Sequence, residues 1–191
     1  MICLVLGTPD SGKSAKAESI VMDVAGDGKK YYIATMVPYG EEGERRIKKH
    51  RDMRAGKGFE TIECPVRVHE LVSKTADLET STCLLECMSN LIGNEMHEPD
   101  VSDKMRISDD ASISKNEADN LIAVDEIGKL CKYIVESVMT LAEHTKNLII
   151  VSNHFPLDAE GYDEDTRSYV ALTDMVNKEL KKRVDEVYEL I

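Results

Sequence analysis

Tryptophan is absent from this 191-residue sequence, and only two phenylalanines occur in it. Proteins that hold single-stranded nucleic acid stack the bases on aromatic side chains, and all nucleic-acid binding depends on basic groups that neutralise phosphates. The formal net charge here is −12 at pH 7, so the chain as a whole repels a phosphate backbone. We therefore expect no nucleic acid among its partners.

Paired cysteines and long apolar runs are also lacking. The five cysteines are odd in number and form no CxxC pair, which favours reduced thiols in a protein core. No apolar run is long enough to predict a membrane span. The apolar residues 1–7 follow no basic segment and lead into a glycine-rich loop, so they predict a strand rather than a signal peptide. These features indicate a soluble, cytoplasmic protein.

Short β-type runs alternate with helical patterns along the chain. The predicted strands cover Ile2–Leu6, Tyr31–Thr35, Cys83–Glu86, Leu148–Ser152 and Glu186–Ile191. The predicted helices cover about 13–25, 44–54, 115–144 and 168–183. This alternation predicts an α/β fold with a mainly parallel central sheet and helices on both faces. The length fits one domain, 1–191, with a mobile polar loop at about 97–114.

A phosphate-binding motif lies between the first predicted strand and the first predicted helix. The pattern G-x-x-x-x-G-K-[ST] is fitted by Gly7, Thr8, Pro9, Asp10, Ser11, Gly12, Lys13 and Ser14. In such a P-loop the backbone N–H groups and the positive helix end face phosphate oxygens. Lys13 is expected to contact the β- and γ-phosphates, and the Ser14 hydroxyl to bind Mg²⁺. The motif predicts a P-loop NTPase fold that binds GTP or ATP with Mg²⁺.

A carboxylate on another strand is needed on the magnesium side of a P-loop, and two segments compete for that role. One segment ends in Glu86 and the other in Asp125-Glu126. Apolar residues around the second segment continue a single helical stripe without a turn signal. Glu86 is therefore the predicted carboxylate, and Asp125 and Glu126 are predicted to lie on a helix.

Residues 45–54 are unusually basic for so acidic a chain. A solvated helix face is one interpretation of such a run. Alternatively, the basic cluster reaches the phosphates, and His50 within it acts as an acid, a base or a nucleophile towards phosphorus. The spacing of the residues alone leaves both interpretations open.

Several motifs in the same order resemble the bifunctional adenosylcobinamide kinase / adenosylcobinamide-phosphate guanylyltransferases of cobalamin biosynthesis. After the P-loop come Y-I-A-T at 32–35, R-I-x-x-H-R-x-x-R at 46–54, T-I-E at 61–63, L-L-E-C at 84–87 and I-V-S-N at 150–153. A P-loop alone identifies a superfamily, whereas this ordered set is far more specific. The chain departs from the family pattern mainly in its C-terminal third, after Asn153.

The resemblance implies two reactions and a set of residues for them. Adenosylcobinamide, a corrinoid, would be phosphorylated with ATP or GTP, and GMP from GTP would then be transferred through a covalent adduct on His50. Besides the P-loop, the resemblance implies nucleotide contacts at Ile33, Ala34, Thr35, Arg51, Asp52, Met53, Arg54, Glu63 and Glu86. It also implies a homo-oligomer, a trimer. The alternatives are a diverged P-loop nucleotide-binding module, or another small-molecule kinase without guanylyltransferase activity.

Overall fold

Parallel strands form one central sheet in the computed structural model, which describes residues 1–37, 40–97, 115–155 and 161–190. Within these ranges the sheet has six strands, all parallel, in the order β3-β2-β4-β5-β1-β6. The strands are β1 Ile2–Gly7, β2 Lys30–Ala34, β3 Phe59–Glu63, β4 Thr82–Glu86, β5 Asn147–Asn153 and β6 Glu186–Leu190. All carboxyl ends of the strands therefore lie at one edge of the sheet.

Helices connect the strands and cover the sheet. They are α1 Lys13–Ala25, α2 Gly40–Arg54, α3 Leu71–Lys74, α4 Met88–Met96, α5 Lys115–Glu143 and α6 Glu164–Lys181. Short 3-10 turns occupy Val68–Glu70 and Leu78–Thr80. As far as the structure describes the chain, no helix is long and apolar enough to cross a membrane.

Alternation along the central strands divides the core into two layers. On β5, Ile149 and Val151 pack with α1 residues on one face. Leu148 and Ile150 face the opposite layer, which contains residues of α4, α5 and α6. Successive strand side chains point to opposite faces, so parity along a strand determines which helices a residue meets. This arrangement confirms the predicted α/β fold with helices on both faces.

Most predicted elements are present, and three were missed. The five predicted strands and the helix over Asp125 and Glu126 are confirmed within a residue or two. β3 was missed because its two apolar residues, Phe59 and Ile62, do not alternate with polar ones. α3 and α4 were missed because both are short, and α4 also follows β4 almost directly.

Helix ends account for the remaining differences. α2 begins at Gly40 rather than at 44, since two glycines in its first turn weaken the helical signal. α6 begins at Glu164 rather than 168, after Asp163 accepts a hydrogen bond from the Thr166 N–H at 2.8 Å. Most of the predicted loop, residues 98–114, lies outside the described residues.

All five cysteines are free, as the sequence predicts. Burial raises the pKa of Cys83 to about 12, and burial is also the main cause that raises the pKa of Cys3 to about 11. These thiols are therefore protonated at neutral pH and serve as core residues.

Truncation of Ile150 to alanine tests the central position of β5. Ile150 is fully buried, so Ile150→Ala should lower the free energy of unfolding by about 2–5 kcal/mol. Denaturant unfolding measures this change. Val187 on edge strand β6 is 38% exposed, and Val187→Ala is the matched control, with an expected change within about 0.5 kcal/mol. Equal losses in the two variants would contradict the assigned core.

Candidate nucleotide-binding site

The loop between β1 and α1 has the backbone conformation of a tight anion-binding turn. Gly12 immediately precedes α1 and has a φ of 85°, and Asp10 has a φ of 61°. Glycine occupies the first of these conformations without steric strain. The Ser11 N–H donates to the Thr8 carbonyl at 3.2 Å, which closes the turn.

Gly7 is required by the close approach of two neighbours. A Cβ atom at this position would lie 2.3 Å from Ser11 Oγ and 2.8 Å from the carbonyl oxygen of Leu190. The second contact is with the backbone of β6, which cannot move aside as a flexible side chain can. Ser11 Oγ itself is buried and has no hydrogen-bond partner among the described residues. A phosphate oxygen bound in the loop is a suitable acceptor for this hydroxyl.

The first turn of α1 leaves its N–H groups available for an anion. No side chain caps the helix, and its first turn contains no acidic residue. The positive end of the helix dipole is therefore not offset by acidic residues of the helix's own first turn. Lys13 Nζ donates to the Thr8 carbonyl at 3.0 Å, so the lysine lies over the loop rather than pointing away from it.

Ser14 and Glu86 meet because α1 packs over β4 and β5, although β5 separates β4 from β1 in the sheet. Ser14 Oγ donates to Glu86 Oε1 at 2.5 Å. Glu86 ends β4 and is only 8% exposed. The sequence predicted these two residues as the magnesium side of the site, and the structure brings them into contact.

Thr35 fixes the main chain that follows Glu86. Its Oγ1 donates to the Cys87 carbonyl and accepts from the Cys87 N–H, both at 2.8 Å. The Thr35 N–H donates to the Glu86 carbonyl at 3.2 Å. Asn94 on α4 in turn donates to the Thr35 carbonyl at 2.8 Å. Thr35, a predicted nucleotide contact, thus holds Glu86 in place.

The end of α2 is anchored to the α1 side of the sheet. Arg54 is buried, with its guanidinium carbon 3.3 Å from the centroid of the Tyr32 ring. Within the described part of the chain, Arg54 Nη1 has no hydrogen-bond partner. Arg51 pairs with Glu63 at 2.8 Å, but both side chains are largely exposed. A cavity of about 490 Å³ is lined by Arg51, Arg54 and the residues that lead into β3.

Glu18 is a buried carboxylate that was not among the site residues predicted from the sequence. It is 5% exposed and pairs with Lys57, which follows α2. Ser14 and Glu18 lie one helical turn apart on α1 and share a face. The ion pair therefore joins the P-loop helix to the end of α2. In the sequence, the one sign of a role for Glu18 is that it lies four residues after the end of the P-loop motif.

Burial keeps the groups beside Glu86 in their neutral forms. Desolvation, followed by the charge of Glu86, raises the pKa of the Tyr32 hydroxyl far above its usual range, although Arg54 opposes the shift. Burial is also the largest cause that raises the pKa of Cys87. A protonated Cys87 adds no charge near the loop and is a poor nucleophile.

For the remaining predicted nucleotide contacts, the structure shows no side chain at the P-loop within the ranges that it describes. The Ile33 side chain is fully buried in the core, so a contact from this residue would come from its main chain. Ala34 is half-buried beside Thr35, and Asp52 is exposed on α2. His50 and Met53 lie within α2, and their side chains lie outside the described part of the structure.

These features define a P-loop nucleotide-binding protein of the α/β class. The profile of the CobU family, cobinamide kinase / cobinamide phosphate guanyltransferase, matches residues 3–191. The chain therefore belongs to this family of cobalamin biosynthesis enzymes, and it is a kinase and nucleotidyltransferase. The resemblance recognised in the sequence is confirmed.

Other comparisons add less. Comparison with curated proteins gives no match. Among solved structures, the chain is similar to the "ATPase Domain of G40P", with a TM-score of 0.47 and 12% sequence identity, over 98% of this chain and 68% of that chain.

Gly7→Ala tests the close approach of β6 to the loop. The added Cβ would meet the Leu190 carbonyl, so the loop must shift and nucleotide binding should weaken by about tenfold. Calorimetric titration with GTP measures the loss. Gly128 in α5 is the matched control because a Cβ there meets nothing within 4 Å, and Gly128→Ala should stabilise the helix by about 0.5–1 kcal/mol. Unchanged affinity in Gly7→Ala would show that the loop is not the binding site.

Proposed function

We propose that this enzyme binds GTP or ATP with Mg²⁺, phosphorylates adenosylcobinamide, and transfers GMP from GTP to adenosylcobinamide phosphate through an adduct on His50. The contact between Ser14 and Glu86 carries the proposal, because it sets a hydroxyl and a carboxylate beside an uncapped helix end. Membership of the CobU family supports the two reactions.

The oxygen ligands at the site fit Mg²⁺. The cation prefers oxygen donors and keeps several waters, and Ser14 Oγ and Glu86 Oε1 already lie 2.5 Å apart. Ser14 would bind the ion, and Glu86 would hold it directly or through water. When bound, Mg²⁺ offsets the charge on the β- and γ-phosphates.

In the kinase reaction, the P-loop N–H groups and Lys13 would hold the triphosphate in line with its acceptor. The acceptor is the hydroxyl of the aminopropanol arm of cobinamide. A bond forms between its oxygen and the γ-phosphorus as the bond to the β-phosphate oxygen breaks, and the hydroxyl proton is released to water. Because the transition state carries charge on the phosphoryl oxygens, pre-positioned donors lower its energy.

In the guanylyltransferase reaction, a neutral ring nitrogen of His50 would attack the α-phosphorus of GTP and release pyrophosphate. A phosphate oxygen of the acceptor would then attack the same phosphorus, which breaks the nitrogen–phosphorus bond and restores His50. Arg54 would offset negative charge, a role supported by its Nη1, which is buried without a partner among the described residues.

The placement of α2 supports a role for His50. Position 50 lies one helical turn before Arg54, which packs on Tyr32 of β2. The pair of Lys57 and Glu18 holds the same end of α2 against the P-loop helix. The remaining contacts to the nucleotide are proposed for the P-loop residues, residues 33–35 and 51–54, and Glu63.

We further propose that the enzyme is a trimer, which light scattering tests directly.

His50→Ala separates the two reactions. GTP labelled at the α-phosphorus should label the parent protein, and the label should be acid-labile and alkali-stable, as a phosphoramidate requires. His50→Ala should lose this label and still phosphorylate cobinamide. His144 bonds the Thr140 carbonyl and lies away from the P-loop, so His144→Ala is the control that retains both activities. Labelling that persists in His50→Ala would exclude the nucleophile.

Glu86→Gln tests the carboxylate with little change in shape. Loss of its charge should slow phosphoryl transfer by about 100-fold or more, with Mg²⁺ dependence shifted to higher concentration. Glu136→Gln is the control, because Glu136 pairs with Arg183 on the opposite face of the sheet. Nucleotide binding without either reaction in the parent protein would instead support a nucleotide-binding module.

A further inference from the structure

The last residue of β5 occupies the gap between the two halves of the proposed magnesium site. β5 lies between β1 and β4 in the sheet. In the parallel register, Asn153 is opposite Gly7 of the P-loop, and Val151 is opposite Glu86. Asn153 therefore lies at the strand edge between the loop that cradles phosphates and the carboxylate strand.

Strand parity places the Asn153 side chain on the α1 side of the sheet. Ile149 and Val151 belong to the core layer under α1, and side chains on a strand repeat their direction every second residue. Asn153 continues that series. On β4, Leu84 lies in the same layer, so Glu86 also faces α1. The side chains of Asn153 and Glu86 thus share the face that carries Ser14.

The main chain of Asn153 is fixed from the opposite side. Its N–H donates to Ser89 Oγ at 3.3 Å, and its carbonyl accepts from Asn177 Nδ2 at 3.0 Å. Ser89 and Asn177 are both buried. The following N–H, of His154, donates to the Gly7 carbonyl at 3.0 Å. These bonds attach the strand end to α4, to α6 and to the first residue of the P-loop.

The side-chain amide of Asn153 is the one polar group of this residue that is not engaged. Across the described ranges it makes no hydrogen bond, and the residue is half-buried. A carboxamide offers two donors and one acceptor without a charge. Such a group can donate to a phosphate oxygen through its NH₂, and because it is uncharged it attracts a cation less strongly than the Glu86 carboxylate does.

We propose that the Asn153 carboxamide donates a hydrogen bond to the terminal phosphoryl group of the bound nucleoside triphosphate. This inference rests on the proposed nucleotide site and adds a residue that distinguishes a triphosphate from a diphosphate. Lys13 and the P-loop amides hold both kinds of nucleotide, whereas Asn153 lies beyond the loop, towards Glu86. Its contact exists only when the third phosphate is present.

Calorimetric affinities for GTP and GDP, each with Mg²⁺, test the proposal on the full chain. Asn153→Ala should weaken GTP binding by about tenfold, as expected for one hydrogen bond to a charged group, and leave GDP binding unchanged. Asn153→Asp places a negative charge against the phosphate and should weaken GTP binding further. Ser152→Ala is the matched control, since Ser152 points to the opposite face and its buried Oγ has no partner among the described residues.

The affinities of the parent protein and its variants for GTP and GDP distinguish the possible outcomes. A tenfold loss that is specific to GTP in Asn153→Ala, with normal affinities in Ser152→Ala, supports the contact. Equal losses for GTP and GDP, or no loss for either, overturn it while the nucleotide site itself stands. If the parent protein binds neither nucleotide, both the proposed function and this inference fail. Thermal unfolding of each variant checks the fold, and a folded Asn153→Asp provides the readout should Asn153→Ala unfold.

Discussion

The hydrogen bond between Ser14 and Glu86 is the interaction on which the rest of the site depends. It joins the first turn of α1 to the end of β4, a strand that α1 covers on one face of the sheet. In the parallel register, Gly7 is opposite Asn153 and Glu86 is opposite Val151, so β4 ends two residues before β1 and β5. Thr35 extends the arrangement to β2 through its two bonds to Cys87. A set of strand ends thus becomes a rigid frame around the P-loop.

Positive groups lie close to the loop although the chain as a whole is acidic. The net charge of −12 would repel a triphosphate at long range, although physiological salt screens such repulsion beyond about 8 Å. Close to the loop, the uncapped end of α1, Lys13 and the buried Arg54 supply positive potential. In a partly buried site these groups act at a lower dielectric than at the surface. A divalent cation would act in the same direction, because it would reduce the negative charge of the triphosphate that this acidic protein binds.

The P-loop and its flanking elements could be predicted from the sequence because each signal is local. Gly12 and Lys13 follow an apolar strand, and the stripe over Asp125 and Glu126 is helical for many turns. Glu86 could be preferred as the carboxylate by excluding the other segment. Its contact with Ser14, by contrast, depends on strand order, which no local pattern contains.

Other features required the tertiary structure for similar reasons. β3 is an edge strand that pairs only with β2 among the described strands, and its sequence does not alternate between apolar and polar residues. Its pairing could therefore not be predicted from a period of two. Glu18 reads as an ordinary surface residue of a helix until Lys57 is brought to it from beyond α2. The role of Asn153 follows from register and parity. His50 is the reverse case, since the family motif suggests its role and its side chain lies outside the described structure.

A crystal structure with a non-hydrolysable GTP analogue and Mn²⁺ would test the central claim most directly. Mn²⁺ replaces Mg²⁺ at oxygen ligands and can be located by its anomalous scattering. The account predicts the β- and γ-phosphates within the loop at residues 7–14, and the metal bound to Ser14 Oγ on the side that faces Glu86. Phosphates bound away from this loop, or a metal remote from both residues, would contradict it.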